Sequence, residues 1–129
     1  MFIFRVFCIF ILIIFSVSTY SKEDNNIGNR FPLKVIFDTD LDSDVDDVGA
    51  LAMLLNLHKD GVIELLGVIV TSDDPYAPVC AAAINSFYGY PDIPVGFLKD
   101  QEKLTNHSRY TRQIANEFPS NMKSWEDAH

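Results

Sequence analysis

Cysteine is nearly absent from this chain, and the little it has cannot staple it. Cys8 falls in an N-terminal apolar stretch and Cys80 in an Ala-rich segment. With the first stretch removed, Cys80 has no intrachain partner and a disulfide framework is excluded. Its neighbours Val79, Ala81 and Ala82 make Cys80 a small core residue of a buried helix rather than a nucleophile. Basic residues are also scarce, 10 Lys and Arg against 18 Asp and Glu, for a net charge of −8. That balance argues against nucleic acid or an anionic membrane as partner, because phosphate binding needs clustered cations. It favours hard divalent cations instead. An apolar run of roughly 20 residues, as a spanning helix requires, is missing too. There is no internal repeat and no low-complexity tract.

Met1 to Phe15 is apolar apart from Arg5, and small or polar residues follow from Ser16 to Ser21. A short basic start, an apolar centre and small residues before a cleavage point make a secretory signal over residues 1–21. Cleavage after Ser18 or after Ser21 fits equally. The mature chain is then secreted or extracytoplasmic, has no membrane segment, and is one unit more negative. Residues 22–31 read as a flexible polar leader, and residues 32–129 as one domain.

Within that domain, Leu33, Val35, Ile36 and Phe37 form a short β-branched run that predicts a strand. Asp46 to Lys59 reads as a helix, with apolar residues on nearly every side and therefore buried on more than one. Asp46 and Asp47 suit its start, His58 and Lys59 its last turn, and Asp60-Gly61 its end. Ile63 to Val70 is a second strand, in which Gly67 marks either close backbone approach or nothing. Ala77 to Tyr88 is a second helix, closed by Gly89, and residues 91–95 lead into a short third strand. A final amphipathic helix is predicted over residues 108–118, after a polar loop. Strand, helix, strand, helix, strand implies right-handed crossovers and an α/β fold with an open parallel sheet and flanking helices.

The informative segment is Asp38-Thr39-Asp40-Leu41-Asp42-Ser43-Asp44-Val45-Asp46-Asp47, six aspartates in ten residues. It starts where the first strand ends, the edge at which open parallel sheets bind ligands. Unpaired carboxylates so close repel one another by on the order of 1 kcal/mol per pair in water and more near a protein surface. A divalent cation removes that repulsion, and an all-oxygen set selects Ca²⁺ or Mg²⁺ over Zn²⁺. A solvated acidic loop explains Asp42 and Asp44 well, but explains Asp38 and Asp40 poorly. An EF-hand is excluded, because its sixth and twelfth positions would be Ser43 and Gly49 and a strand precedes it.

Two family resemblances compete for this segment. Phe37-Asp38-Thr39-Asp40 resembles the opening of Mg²⁺-dependent haloacid dehalogenase-type phosphatases, which would make Asp38 a nucleophile and Asp40 an acid/base. That pattern wants Thr or Val where Asp42 stands and leaves Asp46-Asp47 without a purpose. Val35-Ile36-Phe37-Asp38-Thr39-Asp40 followed by Asp46-Asp47 resembles the inosine-uridine-preferring nucleoside hydrolase family, in the version with two extra residues before the Asp pair. It departs at Asp42, where Gly is common. Leu65 to Thr71 and Tyr90 to Gly96 continue the likeness, which spans Leu33 to Gly96.

The second resemblance implies a nucleoside hydrolase-like fold and hydrolysis of the N-glycosidic bond of ribonucleosides with Ca²⁺. It makes Asp40 a Ca²⁺ ligand and general base, and Asp47 a second Ca²⁺ ligand. Asp46 would hydrogen-bond a ribose hydroxyl, and Asp38 would support the site from behind. The family places an Asn for substrate contact soon after the second strand. Ser72-Asp73-Asp74-Pro75 stands here, with Asp73 as the candidate substitute. Family members run to about twice this length or more, and their remaining Ca²⁺ ligands and their His for the departing base lie in the later half. The resemblance therefore covers the N-terminal portion of such an enzyme and leaves activity of this chain by itself open. A non-catalytic secreted Ca²⁺-binding domain is the third alternative, and homo-oligomerisation is left open. Asn106-His107-Ser108 fits an N-glycosylation sequon, while His58, His107 and His129 match no family His.

Overall fold

The structure, a computed structural model, describes residues 31–99 and 103–129. The expected secretory signal, and the expected leader up to Arg30, lie outside the described residues. Residues 32–129 form one compact unit. Its strands are β1 (Leu33–Thr39), β2 (Ile63–Val70) and β3 (Val95–Phe97). Its helices are α1 (Asp46–Lys59), α2 (Ala77–Phe87) and α3 (Thr111–Glu117), with a 3₁₀ turn at Trp125–Asp127. The strands lie in the order β1-β2-β3, parallel throughout, so α1 and α2 are the crossovers. The expected α/β fold with an open parallel sheet is observed.

Local chemistry sets the limits of these elements. At the end of α1, Gly61 takes a positive φ of 70°, which costs a residue without Cβ nothing. His58 turns back from the last turn, and its Nδ1 accepts the N–H of Leu65 at 3.1 Å. The register between β1 and β2 slips by one at Leu66, between the pairs Val35–Leu65 and Ile36–Gly67. Gly67 sits at that bulge for a steric reason: a Cβ there would lie 3.3 Å from the Pro94 carbonyl. The same carbonyl accepts the Val68 N–H at 3.0 Å and so fixes the start of the β2–β3 pairing.

Both helices cover one face of the sheet and pack on each other. The core lies there, with Leu65, Val68, Val70 and Val95 of the sheet against Leu51 and Leu55 of α1 and Val79, Cys80 and Ile84 of α2. Burial along β1 and β2 alternates accordingly. On the other face Ile36, Leu66 and Ile69 remain exposed. Helix α1 is less buried than its composition predicts. Only Leu51 and Leu55 are fully enclosed, and Met53 is 67% exposed. A helix over a single covered face has one layer to pack on, so Met53 and Leu57 reach solvent. Among the described residues no helix is long and apolar enough to cross a membrane.

Candidate metal and substrate site at the strand tips

β1 runs two residues further than its apolar run, carrying Asp38 and Thr39 into the sheet. Thr39 faces the helices and is buried, and its carbonyl accepts the Thr71 N–H at 2.9 Å. The chain then turns sharply. Leu41 is fully buried with φ of 47°, a left-handed conformation that costs a residue with a Cβ about 1 kcal/mol or more. Its N–H points at both the Thr39 hydroxyl (3.1 Å) and Asp47 Oδ2 (3.0 Å). Asp47 is thereby drawn from the first turn of α1 to the tip of β1. Asp40 closes the turn from the other side, with Oδ1 accepting the Asp42 N–H at 3.3 Å.

This turn brings Asp40 and Asp47 together. Each carboxyl acts on the other, and the two respond in opposite directions. The hydrogen bond to Asp47, followed by partial burial, holds Asp40 above the usual carboxylate range. Burial opposes ionisation of Asp47, but donors around it (the Thr39 hydroxyl, Asp40 and the Leu41 N–H) outweigh burial and hold it below that range. Asp42 is raised by burial, which the nearby His107 opposes, and Asp42 Oδ1 is enclosed without a hydrogen-bond partner.

The loop after β3 reaches back over these tips. The Thr105 N–H donates to the Asp73 carbonyl at 2.9 Å, and His107 Nε2 lies 3.4 Å from Asp73 Oδ1. The Tyr110 hydroxyl donates to the Asp44 carbonyl at 2.8 Å. Burial first, then Cys80 and the Asp47, Asp40 and Asp42 carboxylates, hold the Tyr110 phenol above its ordinary range. Beneath this rim Asp74 is fully buried and satisfied. It accepts the Tyr76 N–H (2.9 Å), the Asn106 amide (2.8 Å) and the Thr111 hydroxyl (2.6 Å).

The sequence-predicted residues therefore divide. Asp40 and Asp47 meet. Asp73 lies at the rim with His107 and Asp42. Asp46 is exposed in the first turn of α1, and Asp38 is exposed on the uncovered sheet face on the same side of β1 as Lys34 and Ile36. Asp42, His107 and Tyr110 are the residues that sequence reasoning missed. Asp42 reads in the sequence as solvated charge, and the other two come from a loop whose return no local pattern signals. Cys80 is fully buried in α2, and burial together with Asp74 pushes its thiol up to about 12, which suits a core residue. The sequon Asn106 donates its side-chain amide to Asp74 and Thr111.

A hard cation fits this chemistry. Two adjacent carboxyls repel when both ionise, and a buried Asp42 oxygen lacks a partner. Among the described residues no three acidic, His or Cys side chains converge into a ready-made ligand set, so the pair is the nucleus of the candidate site. Comparison of the chain with protein-family models, with curated proteins and with solved structures returned no match.

Proposed function

We propose that this chain carries a nucleoside hydrolase-like site, in which Asp40 and Asp47 hold Ca²⁺ and the N-glycosidic bond of a ribonucleoside is hydrolysed. The observation that carries this reading is the Leu41 turn at the tip of β1, whose N–H holds Asp47 beside Asp40 so that the two carboxyls interact. Bound Ca²⁺ supplies positive charge that makes a nearby water more acidic. Asp40, beside Asp47 at the tip of β1, would accept the proton of the attacking water as general base. Asp46, exposed at the start of α1, is free to accept a hydrogen bond from a ribose hydroxyl. Asp73 contacts the substrate from the second strand tip. The carboxylates of the tips stabilise the positive charge that builds on the ribosyl ring as the bond breaks, as in other glycoside cleavage.

Calorimetric titration of Ca²⁺, repeated with inosine or uridine in saturating Ca²⁺, tests the proposal, with release of free base followed in parallel. Asp40→Asn and Asp47→Asn should each weaken Ca²⁺ binding by roughly tenfold or more, the scale of losing one charged ligand. Asp44→Asn should leave it nearly unchanged. Equal effects of the three substitutions would defeat the metal assignment. Tight Ca²⁺ binding with neither nucleoside binding nor base release would defeat the hydrolase reading and leave a cation-binding domain.

A further inference from the structure

The sequon Asn106-His107-Ser108 lies in the loop after β3, and the groups that glycan transfer needs are already engaged. Asn106 is exposed as a residue, but its amide nitrogen reaches inward. It donates to Asp74 Oδ2 at 2.8 Å and to the Thr111 hydroxyl at 3.3 Å, and neither of those residues has any exposure. A carboxylate only accepts, so the amide must present its N–H₂ end to Asp74. The Thr111 hydroxyl gives its own hydrogen to Asp74 Oδ2 at 2.6 Å and accepts from Asn106 through a lone pair. Both hydrogens on Asn106 Nδ2 are therefore committed. The Ser108 hydroxyl is buried and accepts the N–H groups of Tyr110 (3.3 Å) and Thr111 (3.2 Å) at the start of α3. The flanking backbone is held as well, with the Thr105 N–H on the Asp73 carbonyl.

We propose that Asn106 is a glycan acceptor only in the unfolded chain, and that a glycan there and the Asp74 clamp exclude each other. Transfer from a lipid-pyrophosphate-linked oligosaccharide breaks the bond between the sugar C1 and the pyrophosphate oxygen, and forms a bond from C1 to Asn106 Nδ2. One Nδ2 hydrogen leaves as a proton, which the released pyrophosphate takes up. The glycosylated amide keeps a single N–H for two acceptors. Its sugar is bulky and solvated, and it would have to sit where Asp74 and Thr111 are sealed from solvent. Displacing the amide leaves a buried carboxylate short of a donor, a costly state. Transfer to the folded chain, in turn, requires the loop to open locally, releasing Asn106 from Asp74 and Ser108 from the start of α3. The clamp lies beneath the rim of the strand tips and uses neither residue assigned to Ca²⁺.

Glycan transfer to the folded full chain, made without glycan in bacteria, tests this. The chain is incubated with an oligosaccharyltransferase and its lipid-linked donor, and modification of Asn106 is followed by mass spectrometry. The wild type should stay unmodified. Asp74→Ala removes the acceptor and should raise the rate of modification by roughly tenfold or more, the ratio that matches losing one hydrogen bond to a charged group. Thr111→Val keeps Asp74 and the fold, and should raise the rate by less. Urea unfolding gives a reading that needs no transferase: Asn106→Ala should lower the midpoint of the unglycosylated chain, whereas a solvated acceptor would tolerate the change. A folded wild type modified as fast as Asp74→Ala would overturn the proposal. So would an Asp74→Ala chain as resistant as the wild type, or an Asn106→Ala chain as stable as the wild type.

Discussion

The tips of β1 and β2 are both rich in aspartate and use it in opposite ways. After β2, Asp74 is sealed from solvent, and a backbone N–H, an amide and a hydroxyl occupy its oxygens. After β1, Asp40 and Asp47 face each other, and Asp42 keeps a buried oxygen without a partner. A buried carboxylate surrounded by donors holds the fold together, in this case by tying the loop after β3 to the start of α2. Carboxylates set against one another, at the end of a strained turn, cost the fold energy. Such a cost is usual at binding sites and is recovered when a ligand arrives. The contrast predicts that the same chemical change, acid to amide, has opposite consequences at the two tips.

The largest effect belongs to the buried side and appears in alkali. Cys80 lies in the core near Asp74, and its proton leaves only near pH 12, against 9.0 for an ordinary thiol. The unfolded chain releases that proton first, so rising pH favours unfolding. The full stability is present below pH 9.0 and is lost progressively toward about 12. The loss is on the order of 4 kcal/mol. Denaturant midpoints measured across that range should fall for the wild type and fall much less for Cys80→Ala. A similar slope in the variant would place the thiol in a wetter setting.

At neutral pH, Asp74→Asn should cost about 3 kcal/mol, because an amide N–H₂ replaces an acceptor between two donors in a dry site. Thr111→Val removes one of those donors and should cost about 1 kcal/mol. Urea unfolding measures both, and a loss within error for Asp74→Asn would erase the distinction between the tips. At the other tip Asp40→Asn, without divalent cation, should leave stability unchanged or raise it by no more than about 1 kcal/mol, since exposure screens the repulsion that it relieves. Asp44→Asn should fall within about 0.5 kcal/mol of the wild type.

The elements with strong local punctuation were legible in the sequence. Asp46-Asp47 at one end and Asp60-Gly61 at the other delimit α1 at the residues observed, and the β-branched run Ile63–Val70 is β2. The pairing of Asp40 with Asp47 was legible only through their spacing, as part of a family-like motif. What stayed hidden depends on contacts distant in sequence. Nothing near Asp74 announces that Asn106 and Thr111 will return to it. Nothing in the text of the Asp-rich segment shows that Leu41 will be buried in a left-handed turn. The burial of α1 was overestimated because its composition carries no record of how many layers it meets. Asp38 falls on the uncovered face through strand alternation, which becomes visible only once the strand is known to continue through Thr39.

The central claim is that the Asp40–Asp47 pair is built for a cation, and thermal unfolding of the wild type and of Asp40→Asn, each with and without Ca²⁺, tests it most directly. The two should cross over: Asp40→Asn at least as stable as the wild type without Ca²⁺, and the wild type clearly more stable with it, since a ligand that binds only the folded state raises stability with its concentration. A wild type whose melting temperature ignores Ca²⁺, or a Ca²⁺ effect equal in the two chains, would contradict the account.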